Sequence, residues 1–328
     1  MNSNVFIFGT KEILPTVKPN YTIQLKDEIY AIQWSPFDWS QDLICIAYTN
    51  TVCVAHCELN HDTDSLEFKT IHEFHHNTRV HCLAWSPATV LNVIPKCVSF
   101  CAGGSDFKLH VFESDLAENH NCKILSGHCD YINEISYEPD NRWLASVSDD
   151  HTCRLWSVED DYNCDVVFQL TSPGISVGWH SEDTGKLLVA ERIGIVRLYN
   201  AISQLPILSL EANDTLSSAH WCPTDSQKVT GFTGEKLLIW DLTKPSRLIE
   251  SNSLHSEKAG LIRFNSSGEL VATLSLVGGV LKVSHVLSKV VLLSANIKLP
   301  TGLTWHQRLP IVTVADDTKL CCWKLIAK

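Results

Sequence analysis

The chain has 328 residues, 45% of them hydrophobic and 19% charged, with a formal net charge of −11 and a pI near 5.7. This is the composition of a globular fold with a sizeable core, and it excludes a disordered chain. The acidic balance excludes a surface that draws its affinity from phosphates, and no apolar run approaches membrane-spanning length, so neither a nucleic acid nor a bilayer is an expected partner.

From the N-terminus, MNSNVFIFGTKEI has no basic region followed by an adequate apolar core and does not read as a secretory signal. Residues 1–20, with Pro15 and Pro19, read as an arm, although VFIF (5–8) has the pattern of an extra edge strand. YTIQL (21–25) alternates and stands just before a repeating pattern that occupies residues 21–328.

Seven times an aromatic residue closes an alternating apolar segment: AIQWSP (Trp34), CLAWSP (Trp85), EISYEP (Tyr137), SVGWHS (Trp179), SAHWCP (Trp221), LIRFNS (Phe264) and GLTWHQ (Trp305). The intervals are 51, 52, 42, 42, 43 and 41 residues. After most anchors come a polar turn, a second apolar run such as LASVSD or LLVAER, a tight turn, and a third run often ending on an aromatic, as in CRLW and LLIW. Four short strands per unit of about 40 to 45 residues indicate an all-β, seven-bladed β-propeller.

The two long intervals hold polar insertions at 60–67, 86–95 and 114–121, which are expected on the surface. The last unit supplies three strands before the chain ends, so YTIQL is expected to complete it and remove the exposed edges.

Thirteen cysteines without a C-x-x-C pair read as buried free thiols in a reducing compartment, leaving the sequons at Asn20, Asn213 and Asn265 unused. GISVG (174–178) fits the nucleophile-elbow pattern but runs straight into Trp179 as an inner strand, where that motif needs a strand, a turn and a helix. His75, His76 and His81, just before the CLAWSP anchor, read as solvated or structurally hydrogen-bonded histidines and not as metal ligands, and VEDDYNCD (158–165) as a solvated loop. No catalytic set, metal site or cofactor site is predicted. Phe37, Trp39 and Trp143 lie beside turns on one face, as half-buried packing groups or as contacts for a protein partner.

Gly127-His128 ahead of Tyr137, and SVSDDHTCRLW after it, resemble the WD-repeat family. That resemblance implies a hydrogen-bonded structural tetrad of His128, Ser146, Asp150 and Trp156, with Asp149 and His151 projecting to solvent. At the same offsets, blade two has Ala102 and Phe112 in place of Ser and Trp, blade five has Gly234 in place of Asp, and blade seven has Asn296 in place of His.

FHHNTRVHCLAWSP (74–87), SPGISVGWH (172–180), KLLVAE (186–191) and GLTWHQRLP (302–310) further resemble the small WD-repeat nucleoporins of the outer-ring Y-shaped complex. The resemblance implies a non-enzymatic scaffold subunit at the nuclear pore, monomeric within a hetero-oligomer and docked on the large short-arm nucleoporin. Roles in nucleocytoplasmic transport, pore assembly and, in animals, kinetochores follow from it. A ubiquitin-ligase substrate receptor is the main rival, but the Trp240-Asp241 pair is followed by Leu242-Thr243 and lacks the Arg such receptors carry. A propeller-mouth hydrolase is the third reading.

Overall fold

Apolar runs of five to seven residues bounded by Gly, Asn and Asp are too short for helices and suit strands buried on both faces. The computed structural model describes residues 16–60, 63–117, 120–223, 225–234, 236–244, 248–253 (backbone only), 260–286, 288 and 290–325; VFIF and the rest of 1–15 lie outside them. Among the described residues there are twenty-eight strands in seven four-stranded antiparallel sheets, and no helix.

The first strand, β1 (Tyr21–Gln24), belongs to the last blade. Blade one is β2 (Ala31–Trp34), β3 (Leu43–Ala47), β4 (Thr51–Asn60) and β5 (Ser65–His75). Blade two is β6 (Val80–Trp85), β7 (Val98–Gly104), β8 (Leu109–Ser114) and β9 (His120–Leu125), and blade three is β10 (Ile132–Tyr137), β11 (Trp143–Ser148), β12 (Thr152–Ser157) and β13 (Asn163–Gln169). Blade four is β14 (Gly174–Trp179), β15 (Lys186–Glu191), β16 (Ile195–Asn200) and β17 (Leu205–Glu211), and blade five is β18 (Ser218–Trp221), β19 (Lys228–Thr233), β20 (Lys236–Asp241) and β21 (Leu248–Ser253). Blade six is β22 (Leu261–Phe264), β23 (Leu270–Ser275), β24 (Val280–His285) and β25 (Val291–Asn296). Blade seven is β26 (Pro300–Trp305), β27 (Ile311–Asp316) and β28 (Lys319–Lys324), with β1 outermost, in register Tyr21 to Cys322 and Gln24 to Lys319. The protein is a seven-bladed β-propeller.

The core lies between blades rather than within them. One buried cluster joins blades one and two through Phe74, Trp85, Phe100 and Phe112, and others join two to three, three to four, four to five, five to six, six to seven and seven to one. The anchor tryptophans also clip neighbouring inner strands. Trp85 Nε1 donates to Gln33 O (3.0 Å), Trp179 to Ser136 O (2.9 Å), Trp221 to Gly178 O (3.0 Å) and Trp305 to Arg263 O (2.9 Å). In each case the acceptor is the residue before the previous blade's own anchor. Trp34 sits at the closure and donates to Thr313 Oγ1 of blade seven at 3.0 Å.

The insertion near residues 60–67 is more than surface decoration. It lengthens β4 and β5 into a hairpin whose tip crosses to blade seven: Tyr21 OH donates to Asp64 Oδ1 (2.7 Å), as does Lys324 Nζ (3.1 Å), and Leu59 and Leu66 pack with Ile311, Cys322 and Tyr21. The chain ahead of β1 is also held, because Val17 N donates to Ser294 O of blade six (2.9 Å) and Trp323 Nε1 to Val17 O (3.2 Å). Closure therefore rests on a strand, a hairpin and an incoming segment together.

Removing residues 1–24 bares the outer edge of β28 and uncovers Leu59 and Cys322. Such a truncation is expected to lower the melting temperature by several degrees and to self-associate in sedimentation velocity, since an unprotected strand edge is a template for pairing.

Candidate functional site

In blade three the polar residues of the turn between β11 and β12 meet the loop that leads into β10. Trp156 Nε1 donates to Ser146 Oγ (2.9 Å), Ser146 Oγ lies 2.8 Å from His128 Nε2, and His128 Nδ1 lies 2.8 Å from Asp150 Oδ2. An indole can only donate, so Ser146 Oγ accepts from Trp156 and can pass its own proton to Nε2, with the Nδ1 side facing the carboxylate. Asp150 also accepts from Cys129 N (3.0 Å), Thr152 N (2.9 Å) and Thr152 Oγ1 (2.6 Å). Burial pushes this carboxyl up, but the bonds from His128, Thr152 and Cys129 outweigh it and hold it well below the usual carboxylate range. The four side chains are buried and committed to one another.

The two flanking residues differ from each other. His151 is exposed and takes the left-handed conformation that closes the turn, with φ of 63°. Asp149 does not simply project to solvent: it accepts from Arg192 Nη2 (2.9 Å) and Asn133 Nδ2 (2.8 Å), tying blade three to the turn of blade four. A carboxylate beside a neighbouring guanidinium has a better partner than water.

Blades two, four, five and seven bond their corresponding residues differently. In blade two, Ala102 offers no hydroxyl, so His76 Nε2 is buried without a hydrogen-bond partner and Asp106 turns to His110 (3.1 Å). Burial, with His110 nearby, pushes His76 down to about 4. In blade five, Thr230 Oγ1 donates to His220 O (3.0 Å). In blade seven, Thr313 serves Trp34 while Trp323 reaches Val17. Blade four uses a residue outside the tetrad pattern: fully buried Glu191 accepts from Thr171 N (2.7 Å) and Ser172 N (2.8 Å) and pairs with Arg197.

In each blade the first–second and third–fourth connections share one face, because the four strands run up and down in order. On that face the first–second loops form a belt. Trp39 Nε1 donates to Thr89 O (2.8 Å), Ser86 Oγ to Asn141 Oδ1 (3.1 Å), Gly185 N to Glu138 Oε1 (2.9 Å) and Arg308 Nε to Asp38 Oδ1 (3.3 Å), while His180 Nε2 lies 3.2 Å from Ser226 O. Trp39 is 48% exposed and stacks on Phe37, with ring centres 5.0 Å apart, whereas Trp143 is partly buried against the core of blades three and four. Phe37 and Trp39 are brought together; Trp143 stands apart from them, two blades away.

The inner strands line a central cavity of about 530 Å³. Glu134 of blade three reaches across it to Arg263 of blade six (Oε1 to Nη2, 2.8 Å) and accepts from Val177 N (3.1 Å). Arg263 Nη1 also meets His220 Nε2 at 2.9 Å. Burial raises Glu134 against the pull of Arg263, and burial with the guanidinium beside it pushes His220 down to about 3. The thiol nearest this set, Cys82, is pushed up to about 12 by burial and donates to Ile132 O. Arg263 and Glu134 bind each other, the imidazole is neutral and the thiol inert, which is the chemistry of a tie-rod. Among the described residues, no group of three or more His, Cys, Asp and Glu is placed to hold a metal ion.

Residues 119–157, which hold the tetrad, match the family described as "WD domain, G-beta repeat". Over nearly its full length the chain is similar to Nucleoporin Nup37 of Mus musculus, with 38% identity over 314 residues, 92% of this chain and 96% of the relative. The Homo sapiens and Drosophila melanogaster Nup37 proteins are 37% and 33% identical, over 92% and 95% of this chain.

The chain belongs to the Nup37 family of nucleoporins. Membership of that family places it at the nuclear pore complex of the nuclear envelope. The four members of the tetrad stand together in blade three, inside the segment that matches the WD repeat.

Substituting Asp150 by Ala is expected to cost about 1 to 3 kcal/mol at neutral pH, the loss typical of a buried partner. Because Asp150 is depressed in the folded state, its contribution is present above the ordinary Asp pKa and lost as pH falls below about 4, so the penalty shrinks there. His76 is also depressed, so the fold loses stability as pH falls from about 6.5 towards the folded value. The His76→Gln variant is expected to show a shallower loss over that window. Denaturant melts at a series of pH values measure both.

Proposed function

We propose that this chain is a non-enzymatic scaffold subunit of the outer-ring Y-complex, docked on its large short-arm nucleoporin. Nucleocytoplasmic transport, pore assembly and, in animals, kinetochores would be served through that complex. The observation that carries this reading is similarity to Nup37 proteins across almost the whole of both chains. The tetrad, Glu191 and the cross-channel pair favour it as well, because their polar groups serve the ring's own bonds.

The mechanism is presentation by a stiff ring. Belt and seams fix loops from different blades relative to one another, which lowers the ordering cost of association. Docking is assigned to the belt face, with Trp39 and Phe37 as the central contact and Trp143 as a more distant one. An exposed indole stacked on a second ring is the kind of rigid aromatic anchor that dominates interfaces.

Affinity purification of the tagged chain from cells, with crosslinking, tests the reading. Outer-ring nucleoporins are expected among the recovered proteins, with crosslinks on the belt face. Trp39→Ala is expected to weaken association by about 2 kcal/mol, roughly thirty-fold in Kd, the loss of a hot-spot residue. Recovery of no outer-ring nucleoporin by the unaltered chain rejects the assignment.

A further inference from the structure

The first–second loop of blade two, residues 86–97, is far longer than its counterpart in blade three, residues 138–142. Its base is tightly built. Val90 and Cys97 exchange both backbone hydrogen bonds at 2.8 Å, Thr89 Oγ1 donates to Ser99 O (2.7 Å), Thr89 O accepts the Trp39 indole, and Leu91 packs on the core of blades one and two. Beyond this clamp the tip is apolar and bare: Val93 is 59% and Ile94 is 89% exposed. Scattered exposed aliphatics are ordinary, but two neighbours raised on a clamped loop beside a half-exposed Trp39 form a convex apolar feature.

Charge selects what can meet it. Lys96 follows the tip, is exposed, and has no ion pair among the described residues. Most other charges on the belt face are carboxylates, including Asp115, Asp140, Glu159, Asp160 and Asp183. An acidic partner surface is repelled by those residues, and next to the apolar tip it meets the cation of Lys96. A second copy of this acidic face is a poor match for the same reason.

Resting on the proposed function, we infer that Val93, Ile94 and Lys96 form a docking knob that enters an apolar, acid-rimmed pocket on the large short-arm nucleoporin. The aliphatic tip supplies the buried contact, and Lys96 fixes the rim.

The test uses full-length tagged chain in cells, with recovery of that subunit quantified and melting of each variant recorded. Ile94→Asp is expected to reduce recovery about ten-fold or more with unchanged melting, because the tip is outside the core. Val277→Asp places the same charge on a 94% exposed residue in a second–third turn, on the opposite face, and is expected to leave recovery unchanged. Lys96→Glu is expected to weaken recovery and Lys96→Arg to retain it. If the unaltered chain recovers the subunit and Ile94→Asp does so equally well, the knob is wrong while the functional reading stands. Failure of the unaltered chain to recover any outer-ring nucleoporin removes both. A dimer in sedimentation that Ile94→Asp dissolves would show a second copy to be the occupant and also overturn the inference.

Discussion

A closed ring has no end blade, so each wedge has to be fixed to two neighbours at once, and the inner-strand aromatic carries that constraint here. Its ring fills the seam apolarly while, in four blades, the indole N–H takes a carbonyl from the preceding inner strand. Burying an indole without a partner for its N–H would be costly, so the same contact that supplies apolar burial also sets the register between blades. Blade three departs from the pattern with Tyr137, whose hydroxyl lies 3.2 Å from that of Tyr162, and blade six with Phe264, which has no donor to place.

Tryptophan spacing made the ring legible because the geometric period and the sequence period are the same object. What the spacing could not reveal was the acceptor, which is a backbone atom some forty residues away. The tetrad of blade three was legible for a related reason: its four members lie within one repeat, in the segment that resembles a WD repeat. Asp149 was misjudged because its partner Arg192 belongs to the next blade, and Glu191 was missed because it braces blade four from a position that blade three fills differently. The Glu134–Arg263 contact joins residues 129 positions apart and leaves no local trace. The hairpin of blade one looked like a solvated insertion because its tip is polar, yet Leu59 and Leu66 alternate inward onto blade seven. Here strand alternation was the better guide than the composition of the tip.

The distribution of charge follows from the same architecture. Buried carboxylates are each answered by backbone N–H groups or a guanidinium, as at Asp150, Glu191, Glu134 and Glu138, while the surplus acid lies on loops where water solvates it. In this ring the tetrad, Glu191 and the Glu134–Arg263 pair are committed to the ring's own bonds. On the belt face the loop of blade two and the Trp39–Phe37 stack stand out from an acidic surround.

If the seams hold the ring as one body, its blades should not open separately. Native-state hydrogen exchange read on the inner strands of every blade tests this most directly. The inner-strand amides are expected to exchange only through global unfolding, with one common free energy and one common denaturant dependence. Exchange of individual blades at distinct, lower free energies would contradict the account, since it would mean that each sheet is held by its own contacts and not by its neighbours.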